Sequence, residues 1–196
     1  MNIVIIKCIN NNYKYIINSL NKIGINPNIT DNINKIKNSD KLIIYSFYSI
    51  KKIIKIIKKK KLYDIIYNLK QPVLGISNGF HILCTNYYKI KCLNIFKNTN
   101  IKKIYNLNKK KKYNIGWNKI YHNNDEKIFY KLKNNFIQYF IDYNYVKIGA
   151  YCTSHTNNIV SYSSSLKRKN FYGLQFHPEM SGLYGEKILK NFIYLI

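Results

Sequence analysis

The chain has 196 residues, 46% of them hydrophobic, with a mean hydropathy of −0.31, which fits one domain over 1–196 and leaves little room for a second. Its purely apolar runs, such as Ile3-Val4-Ile5-Ile6, fall far short of the roughly 20 residues that cross a bilayer, and the N-terminus lacks a basic stretch followed by a roughly 7–15-residue apolar segment. Membrane spanning and secretion are therefore not expected. The net charge of +25 points toward nucleic acid or an anionic surface, but only Arg168 is arginine, the residue whose planar fork suits phosphates and bases.

Alanine is reduced to Ala150, while Lys, Asn, Ile and Tyr fill surface and core alike. These abundant residues have A/T-rich codons, so the charge reads as compositional drift rather than a selected patch, and no specific nucleic acid is expected as a partner. The cysteines Cys8, Cys84, Cys92 and Cys152 show no C-x-x-C spacing, and the histidines complete no zinc pattern. A reduced, cytoplasmic setting is the expectation.

In chain order, Asn2 to Ile6 predicts a buried strand, Asn10 to Asn12 a polar turn, and Ile16, Ile17, Leu20 and Ile23 a helix face. Leu42 to Ile44 predicts a second buried strand. Ile50 to Leu69 predicts one or two basic amphipathic helices, covering a sheet rather than lying on a membrane. Pro72 to Ile76 predicts a third strand running straight into a helix from Asn78 to about Asn86. This alternation implies parallel βαβ units. Lys109 to Lys112 predicts a solvated loop, followed by short strands around Ile115 to Tyr121, Ile137 to Ile141, Val146 to Tyr151 and Ile159 to Ser163. Phe171 to Phe176 predicts a last strand, and Gly182 to Ile196 a closing helix.

Two motifs carry chemistry. Gly75-Ile76-Ser77-Asn78-Gly79 has the G-x-S-x-G pattern between a strand and a helix, the setting of a nucleophile elbow. Flanking glycines relieve crowding there, and the next backbone N–H can stabilise an oxyanion. A plain tight turn has the same pattern. The second motif is Gln175-Phe176-His177-Pro178-Glu179 at a strand end, where His177 can act as a base oriented by Glu179.

With these motifs the sequence resembles the class I (triad) glutamine amidotransferases, and within them the glutaminase subunits of imidazole glycerol phosphate synthase in histidine biosynthesis. Pro72 to His81 is similar to the family's P-V-L-G-I-C-L-G-M-Q, and Gly116-Trp117-Asn118 to its G-W-N. Gln175 to Glu179, Ser181-Gly182, Gly185 and Leu189-Lys190-Asn191-Phe192 follow its closing Q-F-H-P-E-x-S-G-x-x-G and L-K-N-F. The resemblance implies an α/β fold, a three-layer amidotransferase domain with a mainly parallel central sheet and an antiparallel patch. It implies glutamine as substrate, no metal or bound cofactor, and a cyclase subunit as partner in a heterodimer, with Asn12 facing that partner and Trp117 packed or partner-facing. It places Ser77 at the nucleophile position, His177 at the base and Glu179 at the orienting carboxylate.

Several residues depart from the family. Ser77 stands where the family has its attacking cysteine, and a hydroxyl is far less acidic than a thiol near ~8.5. Tyr45-Ser46-Phe47-Tyr48 replaces the oxyanion segment P-G-V-G, His81 replaces the glutamine of G-M-Q, and Asp142-Tyr143 replaces an H-S pair. Cys84 stands roughly 10 Å along the helix from Ser77, too far to substitute. His81, His122 and His155 read as packed or surface imidazoles. The expected function is an amidotransferase subunit whose own glutaminase step is weak or lost. Three alternatives stay open: a non-catalytic structural partner of the cyclase, a serine hydrolase using Ser77, His177 and Glu179, and a basic nucleic-acid-binding module. In the hydrolase order the acid precedes the histidine, whereas here His177 comes first.

Overall fold

The computed structural model describes residues 1–8, 12–47, 49–104, 113–123 and 125–196. The lysine run at 109–112, Tyr48, and Asn10 and Asn11 of the polar turn lie outside them. The first half alternates strands and helices: β1 (Ile3–Ile6), α1 (Lys14–Lys22), β2 (Asn28–Thr30), α2 (Ile33–Lys37), β3 (Lys41–Ser46), α3 (Ile50–Lys59), α4 (Tyr63–Tyr67), β4 (Val73–Ser77) and α5 (Asn78–His81). The second half supplies β5 (Asn86–Tyr87), β6 (Ile90–Lys91), β7 (Asn100–Lys103), β8 (Asn114–Lys119), β9 (Tyr121–His122), β10 (Ile137–Asp142), β11 (Asn144–Val146), β12 (Cys152–Asn157), β13 (Ser161–Arg168), β14 (Phe171–Leu174) and α6 (Gly182–Leu195).

The main sheet has the order β2-β1-β3-β4-β14-β13-β12-β9. Its first five strands run parallel, and β13, β12 and β9 extend it antiparallel. An antiparallel β8–β10 pair and a small sheet β11-β7-β5-β6 complete the structure. Parallel strands covered on both faces read as continuous apolar runs, which is why β1, β3 and β4 were legible. Alternate residues feed opposite layers. Val4, Leu42, Ile44 and Val73 join Ile53, Ile54, Ile57 and Phe80 on one face. On the other, Ile3, Ile5, Ile43, Leu74 and Ile76 join Ile16, Leu20, Ile188 and Phe192.

Helix α3 covers the sheet: Ile50, Ile53, Ile54 and Ile57 are buried at helical spacing, and Ser49 accepts from the Lys52 N–H at its start. No helix among the described residues is long and apolar enough to cross a membrane. The predicted strand at Val146 to Tyr151 is instead β11 ending at Val146, with β12 starting only at Cys152. The predicted long helix after Ser77 stops at His81. There the chain turns, with the Leu93, Ile95 and Phe96 N–H groups donating to the Ile82 and Leu83 carbonyls. The β2–α2 unit on the sheet edge escaped prediction because its NITDNINKIK stretch is too polar to show a buried strand.

Helix α5 packs directly on the backbone of β3. A Cβ at Gly79 would stand 1.8 Å from the Ile44 carbonyl oxygen, and one at Gly75 would stand 2.5 Å from that of Gly79. Gly79→Ala is expected to destabilise the protein by more than about 3 kcal/mol, read as the drop in urea midpoint at constant m-value; a loss under about 1 kcal/mol would mean that α5 can move off β3.

Candidate active site

Three adjacent parallel strands end at one edge of the sheet. Register pairs Ser46 with Ser77 and Leu174 with Ile76, so the residues following β3 and β14 flank the elbow at the end of β4. Crevices at the C-terminal ends of parallel strands are where such sheets hold ligands. Ser77 is held at φ +56° and ψ −120°, a left-handed backbone that costs a non-glycine residue of order 1–3 kcal/mol. The crowding of Gly75 and Gly79 imposes it: the chain must reverse within the space that two missing side chains leave.

His177 follows β14. Its Nδ1 lies 2.7 Å from Oε1 of Glu179, and both side chains are fully shielded from solvent. Its Nε2 is buried and has no hydrogen-bond partner among the described residues, so Ser77 and His177 are not hydrogen-bonded to each other. With Nδ1–H directed at a carboxylate, Nε2 is left as the acceptor of the neutral ring. The motif's other residues hold this geometry. The His177 N–H donates to the Tyr139 carbonyl at 2.8 Å, and the Ser181 hydroxyl donates to the His177 carbonyl at 2.6 Å while accepting from the Tyr139 N–H at 2.9 Å. Gly185 lets α6 press on the same segment, since a Cβ there would meet the Pro178 carbonyl oxygen at 1.9 Å.

At the end of β3 two aromatic rings, Tyr45 and Phe47, stand where the resemblance implies the proline and valine of P-G-V-G. Phe47 stacks on the imidazole of His177 at 5.0 Å between ring centroids and 8° between planes. Tyr45 meets Phe47 edge-on at 5.2 Å. Burial pushes the Tyr45 phenol well up, and the Glu179 carboxylate adds to this through charge and hydrogen bonding. The sequence flagged the missing glycines but not the stack. The available signal was alternation, since Tyr45 and Phe47 share one face as the strand ends.

Behind the elbow lies a second polar cluster. The Oδ2 of Asp142 accepts from Gln175 Nε2 at 2.9 Å and from the Tyr162 hydroxyl at 3.3 Å, and Asn114 Nδ2 donates to that hydroxyl at 2.7 Å. Burial pushes the Asp142 carboxyl up to about 7. His81 is buried, its Nδ1 3.2 Å from Asn78 Oδ1, and burial pushes its pKa down to about 3, opposed by Gln175. His122 stacks on Phe129 at 4.7 Å and His155 on Tyr121 at 5.3 Å, so these two are packed rings. Cys84 is buried with Sγ 3.9 Å from the Phe80 carbonyl oxygen, and burial pushes its thiol up, so it offers no replacement nucleophile. Among the described residues no group of three His, Cys, Asp or Glu side chains is placed to hold a metal.

Residues 4–196 match the family model described as glutamine amidotransferase class-I. The chain belongs to the class I glutamine amidotransferases. It is 34% identical over 194 residues to the imidazole glycerol phosphate synthase subunit HisH of Blochmanniella pennsylvanica, covering 98% of this chain and 99% of that one. The HisH subunit of Buchnera aphidicola is 32% identical over 176 residues, 89% of this chain and 90% of its own. Among solved structures, PurLQS from Thermotoga maritima superposes with a TM-score of 0.70 at 17% identity, covering 100% of this chain and 99% of that one. A glutamine amidotransferase from the same organism gives 0.67 at 13% identity, covering 100% and 81%. These structures share the amidotransferase fold, α/β with a mainly parallel central sheet, as the sequence implied.

Relieving the strained backbone at Ser77 is expected to stabilise the protein: Ser77→Gly should raise stability by about 1 kcal/mol, measured as an increase in Tm. A lowered Tm would mean that the hydroxyl itself holds the elbow.

Proposed function

We propose that this chain is the amidotransferase subunit of imidazole glycerol phosphate synthase, paired with a cyclase subunit in histidine biosynthesis, and that its own glutaminase step is weak. Similarity to HisH subunits along nearly the whole chain supports the pairing. In this reading Ser77 takes the place of the nucleophile, His177 is the base and Glu179 orients it. The hydroxyl proton passes to Nε2 as Oγ attacks the glutamine amide carbon; the proton then goes to the leaving nitrogen, releasing ammonia, and water hydrolyses the resulting glutamyl ester to glutamate.

The observation that carries the weakness is the Phe47 ring lying flat on His177. It occupies a face of the base, and Ser46 and Tyr48 on either side of it replace the two glycines of P-G-V-G, which leave backbone N–H groups free to turn toward an oxyanion. Serine compounds this, because a hydroxyl demands an aligned base and a formed oxyanion hole where a thiol ionises readily beside an imidazolium. The same observation favours a second reading, a partner that shapes the cyclase without hydrolysing glutamine, the cyclase then drawing on free ammonia.

An exposed apolar strip supports the pairing with a cyclase. On the β8–β10 pair, Trp117 pairs with Tyr139 and Ile115 with Ile141. Their outward side chains form an apolar strip on which Trp117 is 54% exposed, its ring meeting that of Tyr139 edge-on at 5.4 Å. Exposed aromatic clusters of this kind mark protein interfaces. Asn12 is exposed as well, its Oδ1 accepting from the Lys14 N–H at 3.0 Å at the start of α1.

Glutamate release should be measured with the cyclase and a cyclase-substrate analogue present. The native chain is expected to be slow, Ser77→Cys faster, and Ser77→Cys with Ser46→Gly, Phe47→Val and Tyr48→Gly faster again by roughly 10²-fold, the worth of an oxyanion donor. Silence of all three forms would favour the structural partner; labelling of native Ser77 by a fluorophosphonate would favour the hydrolase; release by the native chain at ordinary amidotransferase rates would overturn the reading of a weakened site. Separately, Trp117→Ala should weaken cyclase binding by about 2 kcal/mol or more in calorimetry without lowering Tm, and unchanged affinity would place the docking face elsewhere.

A further inference from the structure

Composition accounts for how many lysines the chain has, not for where they stand. Helix α3 carries five lysines in its ten residues and no acid. Helix α2, on the same side of the sheet, adds Lys35 and Lys37, both exposed. The acid beside these helices, Asp31 just before α2, is paired with Lys60 at the end of α3, which ties the two helices together and holds the Asp31 carboxyl below the usual carboxylate range. Among the described residues, no ion pair engages Lys51, Lys55, Lys58 or Lys59. On the opposite layer α6 has only two lysines in fourteen residues, and one of them meets Glu186 at 2.7 Å.

This arrangement works against the helix that bears it. Lys55 stands one turn from Lys51, Lys58 and Lys59, and like charges at that spacing weaken a helix. The outer face is also chemically narrow. Ile50, Ile53, Ile54 and Ile57 are all turned into the core, so no apolar side is left to enter a membrane. Neither helix contains an aromatic ring on which an unpaired base could stack, nor an arginine to read base edges. What remains is a row of point charges without acids between them. Such a row suits closely spaced phosphates and is indifferent to the bases they join.

We propose that the outer face of α2 and α3 binds the phosphate backbone of a nucleic-acid duplex, without preference for sequence. This surface uses none of the residues of the amidotransferase site. It also leaves the Trp117 strip clear, because Ile120 and Phe140 of that region pack in the opposite layer, with α1 and α6.

The test is fluorescence anisotropy of the full chain with a labelled duplex of about 20 base pairs over a salt series. Two duplexes of unrelated sequence should bind alike. Lys51→Gln, Lys55→Gln, Lys58→Gln and Lys59→Gln together should weaken binding about tenfold or more at ~50 mM salt and make the salt slope shallower by roughly 2–3. Four equivalent changes at exposed lysines of the other layer, Lys22→Gln, Lys127→Gln, Lys131→Gln and Lys133→Gln, should cost less than about threefold and leave the slope within ~1 of native. Equal losses from the two sets would overturn the proposal, since binding would then follow net charge alone. Vesicles of phosphatidylserine in phosphatidylcholine that displace the duplex at equal phosphate concentration would overturn it in favour of a membrane surface. Removing the repulsive lysines should not lower Tm. Should the glutamine set fold poorly, the same four positions changed to arginine keep the charge and should retain duplex binding; loss of binding there would overturn the proposal.

Discussion

The contact on which the site depends is between backbones: α5 lies so close to β3 that the Ile44 carbonyl oxygen occupies the space of a Gly79 side chain. That approach fixes where the chain leaves β4, forces Ser77 into left-handed backbone, and sets the site at the edge where β3 and β14 also end. Gly173 extends the constraint, since a Cβ there would stand 2.3 Å from the Phe80 ring, which α5 drives against β14. The glycines that survive in this glycine-poor chain thus include those where backbone meets backbone or ring. Compositional drift toward Lys, Asn and Ile could not replace them without moving the elbow.

Much of the fold was legible because burial on both faces leaves little freedom of composition. Ile3 to Ile6, Leu42 to Ile44 and Val73 to Ile76 read as strands, and each is a strand with its neighbours in parallel register. The edge unit β2–α2 was not legible: an edge strand needs less apolar surface, and Asn28-Ile29-Thr30 buries none of its residues fully. The helix after Ser77 was overextended for the opposite reason. Ile82, Leu83 and Cys84 continue an apolar run, but they are buried by tertiary packing in a turn stitched to residues 93–96 rather than by helix formation.

The candidate site was legible in its named residues and not in its surroundings. Ser77, His177 and Glu179 are positions that a motif can mark because local backbone shape and a two-residue spacing fix them. The stack of Phe47 on His177 and the grip of Gln175 on Asp142 join β3 to the segment after β14, and that segment to β10. No spacing rule connects such residues, which is why loss of the glycines could be read as a change in the oxyanion segment but not as an aromatic cover over the base.

The elbow and the His177–Glu179 pair do not carry the same weight as signs of chemistry. The strained backbone at Ser77 follows from how α5 packs on β3 and would persist whatever side chain stood at 77, so its retention says only that the fold is kept. The buried pair is different. Two polar groups with no solvent access carry a desolvation cost that apolar replacements of similar size would remove, often with a gain in stability. Nothing in the packing of Pro178 or Gly185 requires an imidazole beside a carboxylate; those contacts run through backbone oxygen. A chain drifting under stability alone would relinquish the pair sooner than the elbow. It keeps His177 with Nε2 unpartnered among the described residues and still lays Phe47 across the ring. That combination describes a base preserved and covered: the pair whose burial costs stability is retained, and an aromatic ring lies against it.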